Sequence, residues 1–85
     1  MNINIKTKFN VGDKVWIPER YDDHWFVKNK NGYCIHEIKI YINSHNQITS
    51  YIVKDNNKEL KEYPIRFCFS DYKECQLWCK KENNE

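Results

Sequence analysis

Between residues 33 and 43 the chain alternates with a period of two. Ile38, Ile40 and Ile42 fall on one side, Glu37, Lys39 and Tyr41 on the other. That period belongs to a β-strand with one buried face, because successive side chains of an extended backbone point to opposite sides. Such a strand has no stability alone. It needs partners along its edges and apolar cover over its inner face. The rest of the sequence must therefore supply further strands and something to pack on them.

Partners are close at hand. Residues 48–54 form a second alternating run, in which Ile48, Ser50 and Ile52 oppose Thr49, Tyr51 and Val53, and a polar turn at 44–47 joins it to the first. A turn at 55–58 leads to a pairing segment at 59–63, which Pro64 interrupts, and residues 65–69 read as a last β run. Upstream, Asn31-Gly32 is the strongest short hairpin signal and would pair residues 25–28 with the long strand. Gly12-Asp13 marks a turn before a short run at 14–17, Pro18 ends or edges that run, and residues 19–24 read as a polar loop.

The pattern changes at Ser70. This residue reads as a helix N-cap, with Asp71 and Glu74 in the first turns and Lys80 and Lys81 near the end, where each charge suits the helix dipole. Tyr72, Cys75, Trp78 and Cys79 share one helical face, and Leu77 lies off it. Five or six short strands and one terminal helix predict a mainly β, α+β domain: a small barrel or curled antiparallel sheet with the helix over one face or end. At 85 residues there is one domain. Residues 1–8 form an arm or edge strand, 9–69 the barrel, 70–82 the helix and 83–85 a frayed tail. A chain this short buries only about 60–65% of its unfolded surface. Its three Trp, six Tyr and four Phe are what can fill the interior. The expected core is Val15, Ile17, Ile38, Ile40, Ile42, Ile52, Phe67, Phe69, Tyr72, Cys75 and Trp78.

The net charge of +2 is too small to imply a polyanionic partner by itself, and the 14 basic residues are interleaved with 12 acids. No apolar run approaches a membrane span, and the first residues lack the apolar stretch of a signal peptide. The expectation is a cytoplasmic protein with no membrane partner, in which the four cysteines are thiols or metal ligands.

Two segments carry a resemblance. Phe9-x-Val11-Gly12-Asp13-Lys14-Val15-Trp16 resembles the first turn and strand of SH3-like small barrels. Phe67-Cys68-Phe69-Ser70-x-x-Lys73-Glu74-Cys75 resembles an ending common in small proteins of bacteriophages and mobile elements of Gram-positive bacteria. The resemblance implies an SH3-like barrel that serves as a binding module. The acidic loop and paired tryptophans of peptide-binding SH3 domains are missing, so recognition of proline motifs is not carried over.

Phosphate loops, dinucleotide fingerprints, serine elbows and His-Glu-x-x-His are absent. Cys68, Cys75 and Cys79, with Cys34 or a histidine, are candidate zinc ligands, but their spacing lacks the Cys-x2-Cys knuckle, and packing as small hydrophobes explains them better. Cys34 and His36 lie on one side of a strand as a thiol and a base, with no third group to orient them. Asp22 and Asp23 read as a solvated turn. No cofactor and no catalysis are expected.

Binding remains. Arg20, Tyr21, His24 and Trp25 offer rim and anchor residues, and Tyr41 and Tyr51 an outward face beside Thr49 and Val53. The leading expectation is a protein, monomeric or homodimeric, that binds and sterically inhibits a host protein. A bacterial defence nuclease of the CRISPR type is the natural case, which would make the chain an anti-CRISPR. The alternative is a nucleic-acid-binding barrel in which Trp25, Lys28, Lys30, Tyr33 and Lys39 combine stacking with cations.

Overall fold

The computed structural model describes residues 8–84. The expected arm over residues 1–8 therefore lies, except for Lys8, outside the described residues. Six strands are formed: β1 (Lys14–Val15), β2 (Pro18–Tyr21), β3 (His24–Val27), β4 (Tyr33–Ile42), β5 (Gln47–Lys54) and β6 (Leu60–Pro64). A 3-10 turn (Ile65–Phe67) and one helix, α1 (Tyr72–Glu82), complete the chain. Strands β1-β4-β5-β6 make a curled antiparallel sheet, and β2-β3 make a second, two-stranded one. The expected class, a curled antiparallel sheet with a C-terminal helix, is what the chain forms. The curl is that of a half-barrel.

Strand β4 does not keep one phase. Its pairing with β5 runs Ile35↔Val53 and then Glu37↔Ile52, so His36 is an extra residue on the β4 side. Before this bulge Tyr33 and Ile35 are buried; after it Ile38 and Ile40 are the half-buried ones. A bulge adds twist as well as a residue, which helps the sheet to curl. It also means that the core lies partly where the alternation did not put it. Ile42 is 58% exposed near the hairpin tip, a correction to the expected core. Tyr51 and Val53, expected on an outward face, are fully buried, because Ile38 and Ile35 oppose them in register on the core side. Ile52 is buried on the other face, flanked in register by Glu37 and Glu62.

The main core contains Phe9, Val15, Ile17, Tyr33, Ile35, Tyr51, Val53 and Cys68. Tyr51 is its centre. Its ring meets Phe9 edge-on at 5.4 Å, and its hydroxyl accepts the Phe9 backbone N–H at 3.2 Å.

Four local readings are corrected. Residues 19–24 are a hairpin, not a loop: Asp22 and Asp23 have φ of 52° and 59°, the left-handed pair that a two-residue type I′ turn requires. Pro18 opens β2 instead of ending a strand. It sits opposite Val27, where the ladder asks for no N–H. Asn31-Gly32 does make a turn, with Gly32 N–H bonded to Asn29 C=O, but the strands on either side of it belong to different sheets. Residues 65–69 do not form a strand. Ile65–Phe67 coil into the 3-10 turn, and Phe69 alone pairs, with Trp16.

The helix cap is Asp71, not Ser70. Its carboxylate accepts the Glu74 N–H at 2.7 Å, the bond that an N-cap makes, while Ser70 Oγ donates to the Glu74 carboxylate at 2.7 Å. No helix among the described residues is long and apolar enough to cross a membrane.

Gly32 carries a testable constraint. Its φ is +74°, and a Cβ there would stand 2.9 Å from Trp16 Cε2 and 3.0 Å from Val15 O. The indole cannot simply swing away, since Trp16 Nε1 donates to Lys30 C=O at 2.8 Å. Gly32→Ala is expected to lower stability by about 1–3 kcal/mol, read from urea unfolding. An unchanged midpoint would show that the Trp16 ring is not held where it lies.

Candidate functional site

The helix does not lie on the main sheet. It packs against the β2-β3 hairpin. Between them is an aromatic cluster: Trp25 meets Trp78 edge-on at 4.9 Å and Phe67 at 5.9 Å, while Trp78 also touches Phe67 at 5.7 Å and Phe69 at 5.9 Å. All four rings are half-buried. Each pair of this kind contributes about 0.5–1.5 kcal/mol beyond its area. The cluster thus ties helix, hairpin and 3-10 turn together without a continuous sheet.

A second tie is polar. Asn83 follows α1 as its C-cap. Its side-chain oxygen accepts the Trp25 N–H at 2.8 Å, and its side-chain nitrogen donates to Trp25 C=O at 2.8 Å. The amide thus stands beside β3 in the place of a neighbouring strand. The expected fraying at 83–85 is corrected for Asn83: the open edge of a strand holds it.

Beyond this contact, hairpin and helix diverge and leave a groove of about 280 Å³. Trp25, Phe26 and Tyr72 give it aromatic walls, and Lys30 and Lys80 give it basic ones. His24, Val27, Gln76, Cys79 and Asn83 complete the lining, which contains no carboxylate among the described residues. Positive potential is therefore concentrated in a recess, where water screens it less than on an open surface.

Of the residues expected to bind, His24, Trp25 and Lys30 are brought together here. Arg20 and Tyr21 lie at the adjoining hairpin tip, Arg20 bonded to Asp23 at 3.0 Å and Tyr21 76% exposed. Lys28 and Tyr33 line a different recess of about 210 Å³, with Glu19, Asp55 and Lys61. Burial works against the Lys28 ammonium, but its 3.0 Å bond to the Tyr63 hydroxyl and the charge of nearby groups hold its pKa above the usual value. Tyr33 is a core residue, and burial pushes its hydroxyl pKa up. Lys39 and Tyr41 are on the protruding β4-β5 hairpin, where both reach Glu62, at 3.6 Å and 3.3 Å. Tyr51 is fully buried and presents nothing, a correction that follows from its place in the core.

The groove residues that the sequence did not single out as binding are Val27, Tyr72, Gln76, Cys79, Lys80 and Asn83. A faint signal was there: positions 72, 76, 79 or 80, and 83 form a stripe along one flank of the helix, which overlaps the face read as core at Tyr72 and Cys79.

Among the described residues, no three His, Cys, Asp or Glu side chains are grouped to hold a metal. Cys68 is buried in the main core and points its thiol at Pro64 C=O, 3.6 Å away. Cys75 and Cys79 are buried under the helix. Burial drives the Cys68 thiol up to about 12, and burial with the neighbouring Cys79 does the same for Cys75. Cys79 is raised as well, by burial. These three are protonated, unreactive thiols at neutral pH. Cys34 and His36 are both exposed.

No protein-family model, curated protein or solved structure matches this chain.

Two measurements follow. With a thiol-titrating reagent, Cys34 is expected to react at once and Cys68, Cys75 and Cys79 only when the chain opens. More than one fast thiol in the native protein would mean that the helix face is not packed. Asn83→Ala is expected to cost about 1–2 kcal/mol and to speed hydrogen exchange at the Trp25 amide. Exchange at that amide as slow as in the wild type would remove Asn83 as the clasp.

Proposed function

We propose that this chain is a non-catalytic binding module that takes hold of a partner protein through the groove between β3 and α1. The observation that carries this reading is the lining of that groove. Aromatic anchors and lysines converge in a recess that holds no carboxylate among the described residues and no reactive thiol. Aromatic and basic side chains are those over-represented where proteins bind one another. The resemblance of the two ends of the chain to mobile-element barrels supplies a setting. The partner would be a host protein, such as a defence nuclease, whose channel or working face is covered by a domain of this size.

Protein binding is favoured over the nucleic-acid reading by where the residues lie. That reading needs Trp25, Lys28, Lys30, Tyr33 and Lys39 on one surface. Instead, Trp25 and Lys30 share the groove, Lys28 faces another recess, Tyr33 is buried, and Lys39 is paired on the far hairpin. A stacking track along a strand of nucleic acid is not assembled.

The test is a comparison of captures from nuclease-treated bacterial lysate. The bait is the wild-type chain, a groove variant (Phe26→Ser with Lys80→Glu) or a hairpin variant (Tyr41→Ser). One protein retained in stoichiometric amount by the wild type and the hairpin variant, but lost by the groove variant, is the expected result. Capture that survives the groove substitutions, or that disappears with nuclease, would refute it.

A further inference from the structure

Resting on the reading of the groove as the binding site, we infer that its occupant is an extended acidic peptide segment that adds as a strand along β3. The backbone pattern comes first. Among the described residues β3 has one strand partner, β2, and the opposite edge faces the groove. Tyr21 and His24 flank the two-residue turn, and Lys28 N–H bonds back to Ile17 C=O at 2.9 Å. In an antiparallel pair the bonded positions alternate. So His24 and Phe26 spend their N–H and C=O on β2, while Trp25 and Val27 turn theirs outward.

The Trp25 groups are taken by Asn83, at 2.8 Å each way. An amide at strand-neighbour distance is therefore already accommodated on this edge, though it comes from a side chain. Val27 is the next outward position, in the wall of the groove, and among the described residues its N–H and C=O make no hydrogen bond to the helix. A peptide running past Val27 would supply the donor and acceptor that a sheet edge takes in strand addition. Of the four residues of β3, the free part of the edge is the Val27 end, and a docked peptide would run on from it past Asn83.

Charge selects the class of peptide. Lys30 and Lys80 line the groove, and among the described residues no Asp or Glu does. Carboxylates on alternate residues of the added strand would meet these cations, and the intervening apolar side chains would meet Phe26 and Tyr72. A lysine-bearing peptide would face repulsion in the same place. Phosphates of a nucleic acid would satisfy the cations but leave the strand edge without its partner.

The experiment is an amide-resolved NMR titration of the full chain. The probes are an eight-residue peptide alternating Val and Glu, the same peptide with Lys for Glu, the acidic peptide N-methylated at alternate residues, and an eight-nucleotide thymidine strand. The acidic peptide is expected to shift the Val27 amide and slow its exchange. Its affinity should fall roughly tenfold in Lys80→Glu, an exposed site whose substitution leaves the spectrum dispersed. N-methylation should abolish the Val27 effect. If the lysine peptide moves the groove amides and the acidic one does not, the acidic class is wrong and the groove still binds peptide. If only the oligonucleotide moves them, both the inference and the protein-binding reading fall. A groove that none of the probes perturbs overturns the inference, and the capture comparison then decides the broader reading.

Discussion

The short run Val15-Trp16-Ile17 is the joint on which the architecture turns. Val15 pairs with Tyr33 of β4. Trp16 exchanges both backbone bonds with Phe69, at 2.9 Å and 3.0 Å. Ile17 C=O accepts from Lys28, at the foot of the second hairpin. Three residues thus connect the main sheet, the C-terminal segment and the small sheet. Val15 and Ile17 are completely buried, and each such burial contributes about 1.5–3 kcal/mol. Between them Trp16 faces the other way, where its indole is clasped by the turn at Gly32. The two glycines of the chain both hold positive φ around this joint, Gly12 on its way in and Gly32 across from Trp16.

From this joint the chain divides its apolar residues between two clusters. The aliphatic side chains with Tyr33 and Tyr51 fill the concavity of the sheet. The large rings Trp25, Phe67, Phe69 and Trp78 gather under the helix and remain half-exposed. A core of small area can close around aliphatics, but indoles need a wider interface than this domain offers. The rings therefore sit where hairpin and helix meet, and the groove opens beside them. The site is a consequence of how a small domain disposes of its aromatics.

How much of this was legible follows from the range of each interaction. Strand β4, the turn at 55–58 and the apolar face of α1 rest on local periodicity and turn chemistry, and the sequence displays them. The phase of β4 was lost at His36, because a bulge is set by its partner strand and leaves the alternation of residues on either side looking intact. β2 was hidden because a proline and three polar residues read as a loop; only their pairing with β3 makes them a strand. His24, Trp25 and Lys30 could be marked as a cluster because they are near in sequence. The other half of the groove lies some 50 residues further on, and nothing in Tyr72, Gln76 or Asn83 announces which strand edge they will meet. Asn83 in particular owes its role to a contact 58 residues away.

The edges of the two sheets are the last point. An open strand edge pairs with whatever chain arrives unless something blocks it. The outer edge of β1 is closed by Phe69 just beyond it, at Trp16. The edge strand β6 carries Lys61 and Glu62 and ends in a proline, three features that discourage pairing. β4 extends past β1 with Glu37 and Lys39 on its flank. The edge of β3 is treated differently. It is short, a helix stands over it, and a single asparagine takes its first outward position instead of a charge that would repel a partner. The neighbouring position is left facing a recess lined with rings and cations. Among the described strand edges this one is left open beside a recess, which favours strand addition here and not at β1, β4 or β6.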